Sequence, residues 1–560
     1  MASAFLSWQP PARITAAINR WFDAASGGRA LWIFLVLFVA IWTSFQIVSY
    51  ASIGLHFDLL EVFAWSQNLA PGYKHPPLAG FVAAAWFSIF PVADWSFHLL
   101  AMVNAAVAFF AIDLIARRYV DGDKRLLVLL LLLLMPFYQF HGQRFSTNQV
   151  LLSTWPIATY CFLRSFESRS LGWSAAAGAA AAIAMLGKYY SILLVLAFVI
   201  AALMHPRRFD YLRSPAPWVA AVVGLVVLAP HLHWFFTTGG KTLSYAHQVH
   251  GAASMSVLLW RTAYSIVSAL GYILVLLLAY LVVVRPDRRT LRATVWPDDP
   301  DRRMLVVLLV APLLLPIVVM PLSGIKFSAL WTMPAWFLLP IVLLSPSAAV
   351  VQRADAVRAA FLVLCFGLVV LAASPAVAWV RFIHEAPKPA RAHYAAVSEE
   401  LTRAWRATTK QPLTIVGSTT DFANAASFYS ADHPRSWNFA DPQLSPWIAK
   451  DRPPRDGWAA VCPAVARGCI ARAEQEAAGA GGVVRREFEH AATFLGRRGS
   501  PVRFIFVLVP PRSQGSGIQK GLSARPAPAG KAARCRTGCA ASCRSRSTWS
   551  TPCPRTSVPA

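Results

Sequence analysis

Two carboxylates, a lysine and a histidine fall close together in an otherwise apolar stretch. Asp58 and Glu61 lie in His56-Phe57-Asp58-Leu59-Leu60-Glu61-Val62-Phe63-Ala64-Trp65, and Lys74 and His75 in Gly72-Tyr73-Lys74-His75-Pro76-Pro77-Leu78. A carboxylate held in such surroundings can take a proton from an acceptor hydroxyl or amine, which is what group transfer from an activated donor requires. At helical spacing Asp58, Glu61, Trp65 and Asn68 share one face, and Leu59, Val62, Phe63 and Leu69 another. That pattern predicts an amphipathic helix lying at a membrane interface with its polar face toward a cavity. Pro71-Gly72 ends the helix, and Pro76-Pro77 sets an extended entry into the next segment. That segment, residues 78–91, is about fourteen residues long, too short to cross a bilayer, and reads as interfacial or re-entrant.

The elements that must hold these residues are membrane spans. A chain that is 56% hydrophobic and 14% charged, with mean hydropathy +0.49, is a polytopic membrane protein rather than a soluble domain. The formal net charge of +26 sits mainly in short loops and in a basic tail, as orientation signals do, which argues against nucleic-acid binding. The first apolar run starts after about thirty residues and is long enough to stay as an anchor rather than a cleaved signal.

Apolar segments near residues 31–50, 96–116, 126–141, 147–163, 172–187, 189–204, 217–236, 256–284, 303–322, 328–345 and 359–380 give about eleven crossings at roughly 20 residues each. The pair 172–187 and 189–204 is either two spans split by a tight turn at Gly187-Lys188 or one tilted helix. Every second connection is Arg-rich, for example Arg117, Arg118, Lys124 and Arg125, or Arg207, Arg208 and Arg213. The positive-inside rule then puts the N-terminus and those loops in the cytoplasm. Asp58, Glu61, Lys74, His75, Arg144, Asn148, Lys188, Tyr189, Lys241, His247, His250 and Lys326 all fall on the outer side. About one cation per outer loop, reaching one mouth between low-dielectric walls, suits an anionic head group whose lipid tail stays in the bilayer. Lys74, His75, Arg144, Lys188, Tyr189 and Lys326 are the candidate phosphate ligands, and Trp65, Tyr73, Asn148, His247 and His250 the other cavity residues. His247 and His250, at i and i+3, could hold a divalent metal ion with His75. Asp113 lies in a span near Arg117 and reads as structural. No glycine-rich nucleotide loop is present, so a nucleotide-sugar donor is not supported.

These residues resemble the GT-C membrane glycosyltransferases of the protein O-mannosyltransferase type, family 39, and their lipid A aminoarabinose transferase relatives. The resemblance covers approximately residues 30–380. It is carried by Asp58 with Glu61 in the first outer loop, the Gly72 to Leu78 run, Asn148 in Arg144-Phe145-Ser146-Thr147-Asn148, Gly187-Lys188-Tyr189-Tyr190, Pro230-His231-Leu232-His233-Trp234, and Lys326 before Trp331 and Pro334. It implies a mainly α, polytopic GT-C bundle that makes an inverting transfer of a sugar from a polyprenyl-phosphate donor to a lipid or protein acceptor on the outer, periplasmic side of the bacterial inner membrane. Asp58 matches the family's first-loop catalytic aspartate. Lys74 and His75 match the segment that holds donor phosphate or metal. The family often has adjacent Asp-Glu where these two acids are three apart, so Asp58 and Glu61 both stay candidates for the base, and relatives often carry Asp at the Asn148 position. A transporter or flippase for a lipid-linked sugar is the rival reading; it calls for mid-membrane ionisable groups and an inverted repeat, whereas the polar groups lie at one end of the spans.

The expected division is a cytoplasmic N-terminus over 1–30, a transmembrane domain over 31–384 with its first outer loop at 51–95, a periplasmic α/β domain over 385–512, and a disordered basic tail over 513–560. In the third part Tyr394, Val397, Leu401 and Trp405 form a helical stripe, Leu413 to Val416, Trp458 to Val461 and Val502 to Val509 read as strands, and Asp421 to Tyr429 as a helix. Cys462 and Cys469 are either a disulfide or two free thiols. Capping the cavity or gripping the acceptor, not catalysis, is the expected role of this part.

Overall fold

Apolar runs in a bilayer must satisfy their backbone internally, so they wind as helices. Among the described residues six do so with enough length and hydropathy to cross: Arg29–Tyr50, Asp94–Ala116, Ala216–Thr237, Met255–Val284, Pro300–Leu322 and Arg353–Glu385. The structure, a computed structural model, describes residues 8–25, 28–72, 74–252 and 254–512; Tyr73 and the tail from 513 lie outside the described residues. The remaining expected crossings are shorter or broken elements. Asp123–Leu132 is followed by a π-turn at Phe137–His141, Val150–Ser168 carries an internal proline, and Ala329–Leu338 is a 3-10 coil running into Leu339–Leu344.

The adjoining segments 172–187 and 189–204 are two elements and not one tilted helix. Leu171–Gly187 ends at Lys188, which is extended (φ −163°, ψ 138°), and a 3-10 turn at Tyr189–Ser191 leads into Ile192–Met204. Ser191 Oγ donates to the Ala184 carbonyl at 2.8 Å and accepts from Trp155 Nε1 at 3.0 Å, so the polar groups that the break exposes find partners inside the fold. Further along, Leu171–Gly187 lies against Ala216–Thr237 at backbone distance. A Cβ on Gly178 would stand 2.0 Å from the Ala220 carbonyl oxygen, a small-residue contact of the kind that lets membrane helices approach closely.

The first long loop departs from its expected form. Its helix is only Phe57–Ser66, and Leu69, with φ +43°, lies beyond the end. Rather than floating at an interface, the helix is packed between Leu78–Phe87 on one side and a helix of the C-terminal region, Phe422–Tyr429, on the other. Phe63 makes edge contacts with Phe87 at 5.3 Å and Phe428 at 5.0 Å. Trp65, expected to face the cavity, is 2% exposed and lies over Gly80, where an added Cβ would come within 3.0 Å of its ring. Leu69, expected on the buried face, is 61% exposed. The two-faced pattern presumed water on one side, but the C-terminal region covers that side. Leu78–Phe87 has ten residues, about 15 Å of helix, roughly half of a hydrocarbon layer.

Beyond the last long helix comes a five-stranded mixed sheet of order β2-β1-β3-β7-β4. Its strands are β1 (Ile415–Ser418), β2 (Arg435–Asn438), β3 (Trp458–Pro463), β4 (Val484–His490) and β7 (Val502–Val509), and a small hairpin is formed by β5 (Thr493–Phe494) and β6 (Arg497–Arg498). β1 runs parallel to β2 and β3, and β7 antiparallel to β3 and β4. The Tyr394, Val397, Leu401 and Trp405 stripe is buried against this sheet region. Cys462, in β3, and Cys469, in the Arg467–Ala477 helix, are joined as a disulfide, with Cα atoms 5.7 Å apart. The edge strands β2 and β4 escape an apolar-run reading because polar residues line them, as in Arg435-Ser436-Trp437-Asn438.

Gly178→Val is expected to lower thermal stability in detergent by an overpacking cost of about 1–3 kcal/mol, since the Ala220 backbone cannot move away without parting two helices. Gly271→Ala, with open space around the added methyl, is the matched control and should leave the melting temperature equal or slightly higher.

Candidate active site

His56 stands at the N-cap of the Phe57–Ser66 helix, with Nδ1 3.3 Å from the Asp58 amide and 3.2 Å from Asp58 Oδ2. One turn on, Glu61 Oε1 lies 2.5 Å from Lys74 Nζ, with side chains 20% and 16% exposed. Burial pushes the Glu61 carboxyl above its ordinary range; Lys74 opposes this, and the nearby carboxylates Asp58 and Asp421 add to it. Burial also works against the Lys74 ammonium, but Glu61 and the Tyr245 hydroxyl outweigh it and hold Lys74 above the usual lysine value. The Lys74 ammonium lies 5.3 Å from the centre of the Tyr245 ring.

Asp421 is the residue that sequence reasoning missed. It comes from the sheet region, immediately before the Phe422–Tyr429 helix, and it shares the electrostatic neighbourhood of His56, Lys74 and Asp58. Although Asp421 is exposed overall, partial loss of water raises its carboxyl above the usual range, with His56 and Lys74 pulling it back and Asp58 adding to the rise. Three carboxylates, one lysine and one histidine thus meet where the bundle joins the sheet region. His56 was visible in the first motif but had no assigned task; Asp421 carried no local signal at all.

The cations expected at the mouth divide into two groups. His75 is half-buried, and loss of water first, then Lys74, Lys188 and His250, holds its imidazole well below its ordinary pKa. It is therefore neutral and placed among cations. Lys188 donates to Asn148 Oδ1 at 2.6 Å and stands 4.5 Å over the Trp331 ring, against which the His250 ring also packs at 5.0 Å. His250 lies within the field of both Lys188 and Lys326. The loops that carry them are zipped together, Lys326 N donating to His250 O at 2.8 Å and Ala252 N to Gly324 O at 3.2 Å. Lys74, His75, Asn148, Lys188, His250 and Lys326 therefore form one neighbourhood beside Glu61.

Other expected members lie elsewhere. The charged neighbours of Arg144 are Arg381 and His141, across the Tyr50 side of the bundle. Tyr189 closes a structural chain: its hydroxyl is 2.6 Å from His231 Nε2, His231 Nδ1 is 2.7 Å from the Pro71 carbonyl, and Thr242 donates to Tyr189 at 3.2 Å. This chain pins the loop after the first short helix, where a Cβ on Gly72 would strike the Trp234 ring at 2.2 Å. His247 is exposed and does not join His75 and His250. Among the described residues no group of three or more His, Cys, Asp or Glu side chains has the arrangement to hold a metal ion. At the opposite end of the bundle Asp113 is fully buried between Arg117 and Arg125, at 2.8 and 2.5 Å, in the structural role its spacing suggests.

A buried helical bundle that gathers acids and cations under a covering sheet has the form of a GT-C membrane glycosyltransferase. Its fold is that of ArnT from Cupriavidus metallidurans. The form of ArnT bound to undecaprenyl phosphate superposes with a TM-score of 0.55 at 14% identity, over 84% of this chain and 98% of that one. The apo form gives 0.51 at 15% identity, over 86% and 98%. Residues 74–234 match the family described as dolichyl-phosphate-mannose-protein mannosyltransferase. In sequence the chain is 30% identical over 344 residues to the lipopolysaccharide core galacturonosyltransferase RgtB of Rhizobium johnstonii (strain DSM 114642 / LMG 32736 / 3841), covering 58% of this chain and 67% of RgtB. It is 26% identical over 204 residues to the lipid A galacturonosyltransferase RgtD of the same strain, covering 35% of this chain and 43% of RgtD. The chain belongs to this family of membrane glycosyltransferases.

The neutral His75 sets a pH dependence. An unfolded chain binds a proton on this imidazole near pH 6.5 while the folded protein does not, so stability falls as the pH drops below that value, by up to about 1.4 kcal/mol per pH unit. Glu61, raised in the fold, has the opposite sign, gaining stability as it protonates. His75→Asn is expected to flatten the decline in melting temperature between about pH 6.5 and 5; a mutant profile parallel to wild type would show that His75 titrates normally.

Proposed function

We propose that the protein transfers a sugar, with inversion, from a polyprenyl-phosphate donor to a saccharide hydroxyl of lipid A or the lipopolysaccharide core. The reaction would take place at the outer face of the bacterial inner membrane. The observation that carries this reading is the meeting of Asp58, Glu61 and Asp421 with a cluster of cations at one end of the bundle. The names of the two Rhizobium relatives favour galacturonic acid as the sugar and a glycolipid as the acceptor. ArnT, which shares the fold, binds undecaprenyl phosphate, and that supports a polyprenyl donor. The N-terminus would then be cytoplasmic, residues 31–384 the transmembrane catalytic domain, and residues 385–512 a periplasmic cover.

In this mechanism Asp58 is the base. Its side chain is 33% exposed and next to His56, whereas Glu61 is engaged with Lys74. Asp58 takes the proton of the acceptor hydroxyl as the oxygen attacks the anomeric carbon, and the bond from that carbon to the phosphate oxygen breaks. Lys74, Lys188 and Lys326 receive the charge that develops on the departing polyprenyl phosphate. Glu61 holds Lys74 in place, and neutral His75 can donate one hydrogen bond without adding charge. Asp421 lets the sheet region complete the acid cluster, so that covering the site and shaping the base become one act.

The test is transfer from a radiolabelled polyprenyl-phosphate sugar to glycolipid in membranes. Asp58→Asn should lower the rate by about 10²–10⁴-fold, with a smaller loss for Asp421→Asn. Glu61→Gln should raise KM for the donor. Full activity in both Asp58→Asn and Glu61→Gln would remove the base, and substrate movement across the membrane without transfer would favour a transporter.

A further inference from the structure

A second polar cavity, of about 450 Å³, opens where the outer ends of Arg29–Tyr50 and Asp94–Ala116 meet the sheet region; Tyr50, Asp94, Trp95, His98, Arg391 and Tyr429 line it. It shares no lining residue with the acid cluster. His98 is 1% exposed, and neither of its ring nitrogens has a hydrogen-bond partner among the described residues. A buried imidazole left so is costly, because each unmet donor or acceptor loses its water without replacement. One arginine, Arg391, lies in the wall, and a second, Arg381, stands behind it on the ring of the lining residue Tyr50. Arg381 stacks 3.9 Å over the Tyr50 ring and donates to Ser49 O at 3.0 Å, and Arg391 lies 5.0 Å over the same ring and donates to Gly54 O at 2.9 Å. Against these two cations stands one carboxylate, Asp94, hydrogen-bonded by Tyr429. Asp94 opens its helix without a side-chain cap, so the first-turn amides add further positive potential.

We propose that this cavity is an acceptor subsite that holds an oxyanion-bearing saccharide head group of a membrane lipid, which rests on the transferase reading above. A neutral imidazole offers one donor and one acceptor. An oxyanion next to a sugar hydroxyl meets both, the anion taking the N–H and the hydroxyl giving its proton to the other nitrogen. The two arginines hold the charge of a carboxylate or phosphate, and Asp94 accepts from further hydroxyls. The cavity is coupled to the acid cluster through one rigid element: Asp421 precedes the Phe422–Tyr429 helix and Tyr429 ends it, about 12 Å apart at 1.5 Å per residue. The same Tyr429 hydroxyl accepts from Leu55 N at 2.8 Å, one residue before His56. A saccharide anchored here is thus registered against Asp58 by backbone on one side and by helix on the other.

The experiment measures thermal shifts of the full chain in phosphatidylcholine nanodiscs with galacturonate, inorganic phosphate or neutral galactose at millimolar concentration. Galacturonate or phosphate should raise the melting temperature of wild type by several degrees and galactose should not. The galacturonate shift should persist in Asp58→Asn and be lost in His98→Phe, with His98→Gln intermediate, while the phosphate shift should be reduced in His98→Phe and its remainder lost when Lys188→Ala is added, since the cations of the acid cluster also take phosphate. Nanodiscs containing lipid A should abolish the added shift if a lipid head group fills the site, and leave it intact if only free anions bind, which would overturn the lipid assignment. No shift in wild type with either anion overturns the subsite, whether or not His98→Phe folds. A galacturonate shift lost in Asp58→Asn but kept in His98→Phe would also overturn it, by moving binding to the acid cluster. In transfer assays His98→Phe should raise KM for the glycolipid at least tenfold with donor KM unchanged. Absence of transfer in wild type would count against the enzymatic reading while leaving the binding result to stand.

Discussion

The ion pair between Glu61 and Lys74 needs an enclosure that neither residue can build. A carboxylate and an ammonium taken mostly out of water lose several kcal/mol of hydration each, and their attraction repays this only if geometry and further partners are in place. Here the enclosure has three walls: the Leu78–Phe87 helix, the helix Phe422–Tyr429 from the sheet region, and the loop pinned by His231 and Tyr189. The stretch between is stapled at both ends, by Arg391 to Gly54 O and by Arg435 to Gln67 O. Remove any wall and the pair opens to water, and the proposed leaving-group contacts lose their position with it.

The bundle is irregular where its polar groups are. Lys188 follows the end of one helix, Lys326 precedes a 3-10 coil, and His250 ends a short helix bridged to the Lys326 loop. Regular helix at these points would place each side chain on a cylinder with its own neighbours. Breaking the helix lets several chains deliver cations to one place, and the freed backbone groups are satisfied by Ser191 and by the inter-loop pairing. Irregular backbone near the membrane survives only where protein covers it, and the same cover supplies the low dielectric that makes the cations effective.

The sheet region is more than a lid. Asp421 joins the acids and Tyr429 joins the second cavity, one at each end of a helix whose Phe422 and Phe428 are core. Packing this helix on Phe57–Ser66 therefore fixes two polar sites by one apolar contact. The Cys462–Cys469 bridge ties β3 to the next helix within that region.

Class, number of apolar segments and the alternation of Arg-rich loops were legible in the chain, because hydropathy and charge add up locally along a segment. So were the Asp58, Glu61, Lys74 and His75 stretch, the buried stripe from Tyr394 to Trp405 and most of the central strands. Asp421 was not, nor the burial of Trp65, the separation of Arg144 from the other cations, or the cavity around His98. Each depends on which elements touch, and a residue's pattern within its own helix says only which side is apolar, not what will cover the other. Sequence determined that this chain crosses a membrane with acids and cations gathered on one side. Tertiary packing alone decided which of them meet, because contact between residues hundreds apart is set by the fit of whole helices and not by any spacing along the chain.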